Sequence, residues 1–139
     1  MRYRRNEAKD YARARMRGIW AAALMPFRPD GAPDEAGFRA NLRHWTRELG
    51  IDGVFVAGKQ GEFFSMSVPE RKRSFEIAVE ELGGKAGTIM SCSDQNMDVV
   101  IDLARHAQRI GAEYIVVHAP VLHFLKERDE TLLRYYEAI

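Results

Sequence analysis

Val54-Phe55-Val56-Ala57-Gly58-Lys59-Gln60-Gly61-Glu62-Phe63-Phe64-Ser65-Met66-Ser67-Val68-Pro69-Glu70 decides the fold. Its first four residues are an apolar run of strand length. Two glycines then bracket Lys59 and Gln60, and a glycine lets the backbone approach another group without a Cβ in the way. Ser67 with Glu70 three residues later is a capping box, and Pro69 falls in the first helical turn, where it is tolerated. The stretch therefore reads as strand, glycine turn, helix. In a parallel α/β fold such a turn lies at the carboxyl end of its strand, where these folds place ligands.

The same grammar repeats on both sides. Upstream, residues 18–25 form a strand candidate, and Pro26-Phe27-Arg28-Pro29-Asp30-Gly31 breaks it with turn chemistry. Asp34 is a good N-cap. Phe38, Leu42, Trp45 and Leu49 then recur on one helical face, and Gly50 closes the helix. Residues 53–57 make the second strand. The next helix carries Phe75, Ala78, Val79 and Leu82 as its buried stripe and ends at Gly83-Gly84. Residues 86–91 make the third strand, with Cys92 just past its end. A third helix begins around residues 94–96, turns Met97, Val100, Ile101, Ala104 and Ala107 inward, and ends at Gly111. Residues 113–119 make the fourth strand, a loop containing His123 follows, and Asp129 caps a last helix through Tyr135 and Tyr136. The joints Glu48-Leu49-Gly50, Glu81-Leu82-Gly83 and Arg109-Ile110-Gly111 recur at intervals of about thirty residues, the length of a βα unit. The expectation is four parallel strands side by side in sequence order, with helices on one face. An eight-fold barrel takes about 250 residues, so this is about half of one.

Composition excludes several classes. The 139 residues are 46% hydrophobic and 29% charged, ordinary for a globular domain, and the net charge of +1 gives no overall field for nucleic acid or an acidic membrane. No apolar run approaches membrane-spanning length. The single cysteine cannot form an internal disulfide and points to a reducing compartment, the cytoplasm. Residues 1–17 differ: Arg2, Arg4, Arg5, Lys9, Arg13, Arg15 and Arg17 face only Glu7 and Asp10. No apolar core follows them, so they are not a secretory signal. Two readings stand for this basic extension, a solvated helical segment packed on the domain or a neighbouring subunit, and an arm neutralising phosphates.

Three side chains near strand ends carry chemistry. Cys92 reads either as a reactive thiol or as a small buried side chain. His118 and His123, both near the end of the fourth strand, read either as hydrogen-bonded structural groups or as catalytic ones. Neither has a partner at metal-ligand spacing, so no metal site is expected.

In these residues the chain resembles the amino-terminal half of the dihydrodipicolinate synthase / N-acetylneuraminate lyase superfamily. Met25-Pro26-Phe27 followed by Asp30-Gly31 matches its T-P-F…D-G after the first strand. Gly50-Ile51-Asp52-Gly53 matches its G-[VI]-D-G joint, and Gly58-Lys59-Gln60-Gly61-Glu62 sits on its G-T-T-G-E turn. Phe64-Ser65-Met66-Ser67 with Glu70-Arg71 matches its S-L-[TS]-x-x-E-R segment, and Glu62-Phe63-Phe64-Ser65 is most like the ketodeoxyglucarate dehydratase branch.

The resemblance implies a (β/α)8 TIM-barrel fold, with residues 18–139 as a half-barrel behind the 1–17 extension. It implies class I aldolase, lyase or dehydratase chemistry on pyruvate or a related 2-oxo acid, with no cofactor, because a lysine forms an imine with the ketone and serves as the electron sink. It makes Gly58, Lys59, Gln60 and Gly61 the candidates for holding the substrate carboxylate, with Glu62 supporting the turn. A homo-oligomer is implied, with neither nucleic acid nor membrane as partner. Two departures stand out. Lys59 and Gln60 replace the usual Thr/Ser pair, and Pro120-Val121-Leu122 replaces P-Y-Y, so the family's tyrosine–threonine–tyrosine proton relay is not reproduced. The Schiff-base lysine and its partner tyrosine belong to later strands, past Ile139, so this chain reads as the amino part of the enzyme. The alternatives are a non-catalytic, self-associating half-barrel, and a small nucleotide-binding domain using the glycine turn for phosphate.

Overall fold

A computed structural model describes residues 3–120 and 128–139. In chain order the elements are α1 (Ala8–Arg15), β1 (Trp20–Ala22), α2 (Glu35–Arg43), β2 (Gly53–Val56), α3 (Val68–Leu82), β3 (Gly87–Ser91), α4 (Met97–Ile110), β4 (Tyr114–Val116) and α5 (Arg128–Glu137). The described strands form one sheet in the order β1-β2-β3-β4, parallel throughout. This is the α/β half-barrel order that the βα rhythm predicts.

Local signals place the helices. Asp34 accepts a hydrogen bond from the Gly37 N–H at the start of α2. Ser67 and Glu70 form the reciprocal capping box of α3. Gly83 and Gly111 end α3 and α4 in the left-handed conformation, at φ 52° and 83°. One end differs from expectation. Asp129 is itself helical, within α5, rather than its cap.

The core lies between the sheet and the helices. Val54, Val56 and Met90 are 0% exposed on the helix side of β2 and β3. They meet Phe38 and Leu42 of α2, Phe75, Ala78 and Leu82 of α3, and Leu103 and Ala107 of α4. Val79, Ile101 and Ala104 are only partly buried, whereas Leu103 and His106 lie inside. Leu49 is 58% exposed. After Arg43 the helix widens into a π turn, His44–Glu48, which rotates the last side chains off the inner face. Between the helices, Arg43 pairs with Glu81 at 2.7 Å, Arg39 bridges Glu80 and Glu81, and Arg73 reaches Glu35 at 3.0 Å.

The other face of the sheet is half-exposed. Strand register puts Ala22, Phe55, Ile89 and Tyr114 in one row and Trp20, Gly53 and Gly87 in the row below. The glycines make room for the tryptophan: a Cβ on Gly53 would lie 2.3 Å from the Trp20 ring, and one on Gly87 would lie 2.2 Å from it. The edge of Tyr114 meets the indole at 6.0 Å between ring centres. Tyr11 of α1 stacks near Tyr3 and, with Arg15, donates to the buried carboxylate of Glu113 at 3.2 and 3.3 Å. The basic amino-terminal helix is thus laid against the start of β4.

Candidate functional site at the carboxyl ends of the strands

The glycine turn follows β2 directly. The Gly61 and Glu62 amides donate back to the Gly58 and Lys59 carbonyls, both at 3.1 Å, so two tight turns overlap. Ala57 and Glu62 hold positive φ, 50° and 52°. For residues with a Cβ this is a strained conformation, a kind of strain that clusters at functional sites. Gly61 is buried, and a Cβ there would come 2.7 Å from the Ala23 carbonyl oxygen, so the turn can lie against the end of β1 only as glycine. The Lys59 and Gln60 amides donate to no other group among the described residues, and both side chains are exposed.

A cleft of about 430 Å³ opens beside the turn, lined by Lys59, Phe63, Arg71, Ser93 and His118 among others. Phe63 and Phe64 form its aromatic wall, with ring centres 3.9 Å apart and Phe64 73% exposed. Arg71, on α3, is its floor. It is 2% exposed, donates to the Ser91 and Ser93 carbonyls at 3.0 and 2.8 Å, pairs with Asp94 at 3.1 Å, and lies 5.0 Å over the Phe63 ring. Burial works against the Arg71 charge, and Asp94 supports it. Arg71 thereby ties α3 to the carboxyl end of β3 and braces the cleft from below.

The other sequence candidates divide. Cys92 is 0% exposed, and burial pushes its thiol up to about 12. This is the inert reading, since the thiolate is the reactive form. His118 is exposed and belongs to the cleft; its ring Nδ1 is 3.0 Å from Ser93 Oγ, and its backbone N–H donates to the same oxygen at 2.9 Å. His123 lies outside the described residues. Ser93 and Arg71 were not among the sequence candidates for the site. A hydroxyl two residues past a barrel strand is a usable signal for Ser93, whereas an arginine in a helix reads as a solvated charge. Among the described residues no group of three or more His, Cys, Asp or Glu side chains is placed to hold a metal.

Parallel βα units in sequence order, with a glycine turn at the carboxyl end of β2, define a protein of the (β/α)8-barrel class. The match is with the dihydrodipicolinate synthetase family over residues 15–139, and the chain belongs to that family. It is 35% identical over 124 residues to the N-acetylneuraminate lyase of Clostridium perfringens, covering 89% of this chain and 42% of that one. Among solved structures, CdNal from Clostridium difficile in complex with mannosamine superposes with a TM-score of 0.81 at 30% identity, over 89% of this chain and 43% of its own. N-acetylneuraminate lyase from Fusobacterium nucleatum complexed with pyruvate gives 0.78 at 30% identity, over 88% and 40%. The fold is therefore the amino half of a TIM barrel, and the chain spans about two-fifths of the length of the relatives it matches.

Proposed function

We propose that residues 18–139 are the amino part of a class I, Schiff-base lyase acting on pyruvate or a related 2-oxo acid, with residues 1–17 as an extension. The observation that carries this reading is the pair of unpartnered amides at Lys59 and Gln60, set on the family's G-x-x-G-E turn at the mouth of a cleft. Consecutive free backbone N–H groups form a nest for a carboxylate, and Lys59 adds a positive charge. Membership of the family supports the chemistry. The relatives named above are N-acetylneuraminate lyases, whereas Glu62-Phe63-Phe64-Ser65 supports the ketodeoxyglucarate dehydratase branch, so the substrate class stays at 2-oxo acids. The imine-forming lysine would come from strands outside residues 1–139, in a cytoplasmic, oligomeric enzyme without a cofactor.

Pyruvate titrated into this protein is expected to bind saturably, with shifts in the Lys59 and Gln60 amide resonances. Gln60→Ala should weaken binding several-fold, and Cys92→Ser should not. Pyruvate with borohydride should leave the protein mass unchanged; one reduced adduct would mean that a lysine of this chain forms the imine, and Lys59 would be mapped first. If pyruvate leaves every amide unmoved, the turn is structural only and the reading fails.

One observation favours a second reading, a non-catalytic half-barrel that pairs with its own copy. β1 and β4 are the outer strands of the described sheet, and Ile19, Leu24 and Ile115 near them are 67%, 56% and 41% exposed. A monodisperse monomer in sedimentation would remove this reading.

A further inference from the structure

Ser93 and His118 sit just past the ends of β3 and β4 and meet twice through one oxygen. Ser93 Oγ accepts the His118 backbone N–H at 2.9 Å and lies 3.0 Å from ring Nδ1. Ser93 is 3% exposed, so the hydroxyl is a fixed, buried anchor for an exposed ring. A hydroxyl oxygen has two acceptor sites. With one taken by the backbone, the other receives Nδ1–H in the tautomer that leaves Nε2 as a base. Nε2 has no partner among the described residues. The same cleft holds Lys59.

We propose that His118, oriented by Ser93, is the general base of this cleft, and that it moves a proton at the carbon beside the carbonyl of a bound 2-oxo acid. The inference rests on the reading above, in which the Lys59 and Gln60 amides hold the carboxylate. In the step itself, His118 Nε2 takes a proton from the methyl carbon of pyruvate. The C–H electron pair becomes the C=C bond, and the carbonyl π pair moves to oxygen, giving an enolate that the Lys59 ammonium neutralises. The imidazolium then returns the proton, and nothing is consumed. His118 is the catalytic residue, because it touches the reacting carbon's proton. Ser93 is a positioning residue, acting through the ring.

The test follows loss of the methyl proton signal of pyruvate in D2O by NMR, with the 139-residue protein and, in parallel, free imidazole at the same concentration. Exchange is expected to be about a hundredfold faster with the protein, the lower range of general-base effects. His118→Gln should bring the rate down to the imidazole level. Ser93→Ala should lower it several-fold and change the tautomer ratio read from the His118 ring-nitrogen resonances, which a purely structural loss would not move. Pyruvate binding is measured separately on each protein, and amide spectra verify folding. Binding with exchange no faster than imidazole overturns the inference and leaves the carboxylate reading standing, as does unchanged exchange in His118→Gln. Absence of binding in the unmodified protein overturns both.

Discussion

The two ends of the sheet are built on opposite principles. At the amino end, space is filled: Trp20 lies across Gly53 and Gly87, Tyr114 meets its edge, and the Glu113 carboxylate accepts from Tyr11 and Arg15. At the carboxyl end, donors are left open at the Lys59 and Gln60 amides, and His118 Nε2 is free among the described residues. On the function proposed above, the difference separates what holds the half-barrel together from what would meet a ligand, the division expected of barrel enzymes. Arg71 is the exception that makes it work, a buried charge spent on bracing the open end.

Four perturbations break or sharpen that contrast. The largest effect is expected from Arg71→Met, which strips donors from the Ser91 and Ser93 carbonyls and removes the cation paired with Asp94. It should lower stability by about 3 kcal/mol in urea unfolding; a loss below about 1 kcal/mol would mean that the open end needs no brace. Next is Gly87→Ala, whose Cβ falls 2.2 Å from the indole. Overpacking of this kind costs about 1–3 kcal/mol, and the Trp20 fluorescence should shift as the ring is displaced.

Smaller again is an acid effect on the α2–α3 seam, which belongs to neither end. The Arg43 and then the Arg39 guanidinium hold the Glu81 carboxyl at about 2, against an ordinary 4.5. A depressed carboxyl contributes stability that is fully present above pH 4.5 and is lost as pH falls through about 2. The urea midpoint should drop across that window, and Glu81→Gln should flatten the drop. The smallest stability effect is expected from Lys59→Ala, within about 0.5 kcal/mol, although pyruvate binding should weaken. A larger stability loss would place Lys59 in the scaffold and blur the contrast between the ends.

Much of this was legible in the chain. Asp34, the Ser67/Glu70 box, Gly83 and Gly111 mark helix ends through local hydrogen bonding and φ preference, and both act within a few residues. The βα rhythm was enough to order the strands. What escaped depends on contacts distant in sequence. Ser93 and His118 are 25 residues apart and become neighbours only through the register of β3 and β4. Arg71 is buried because carbonyls 20 and 22 residues away receive it. Leu49 left the inner face because a π turn changed the helical period, which a fixed step of three and four residues does not register.

Cys92 gives the protein a built-in clock. Its sulfur is 0% exposed, and its proton is held up to about 12, so accessibility and ionisation both silence it in the closed state. As the chain has one cysteine, a thiol-directed reagent has a single address, immediately after β3. Every labelled molecule has therefore opened at that address. The ratio of its labelling rate to that of an unstructured peptide thiol reads out the free energy of opening there. Followed with and without pyruvate, the same ratio reports how far an occupant of the cleft tightens the strand beneath it.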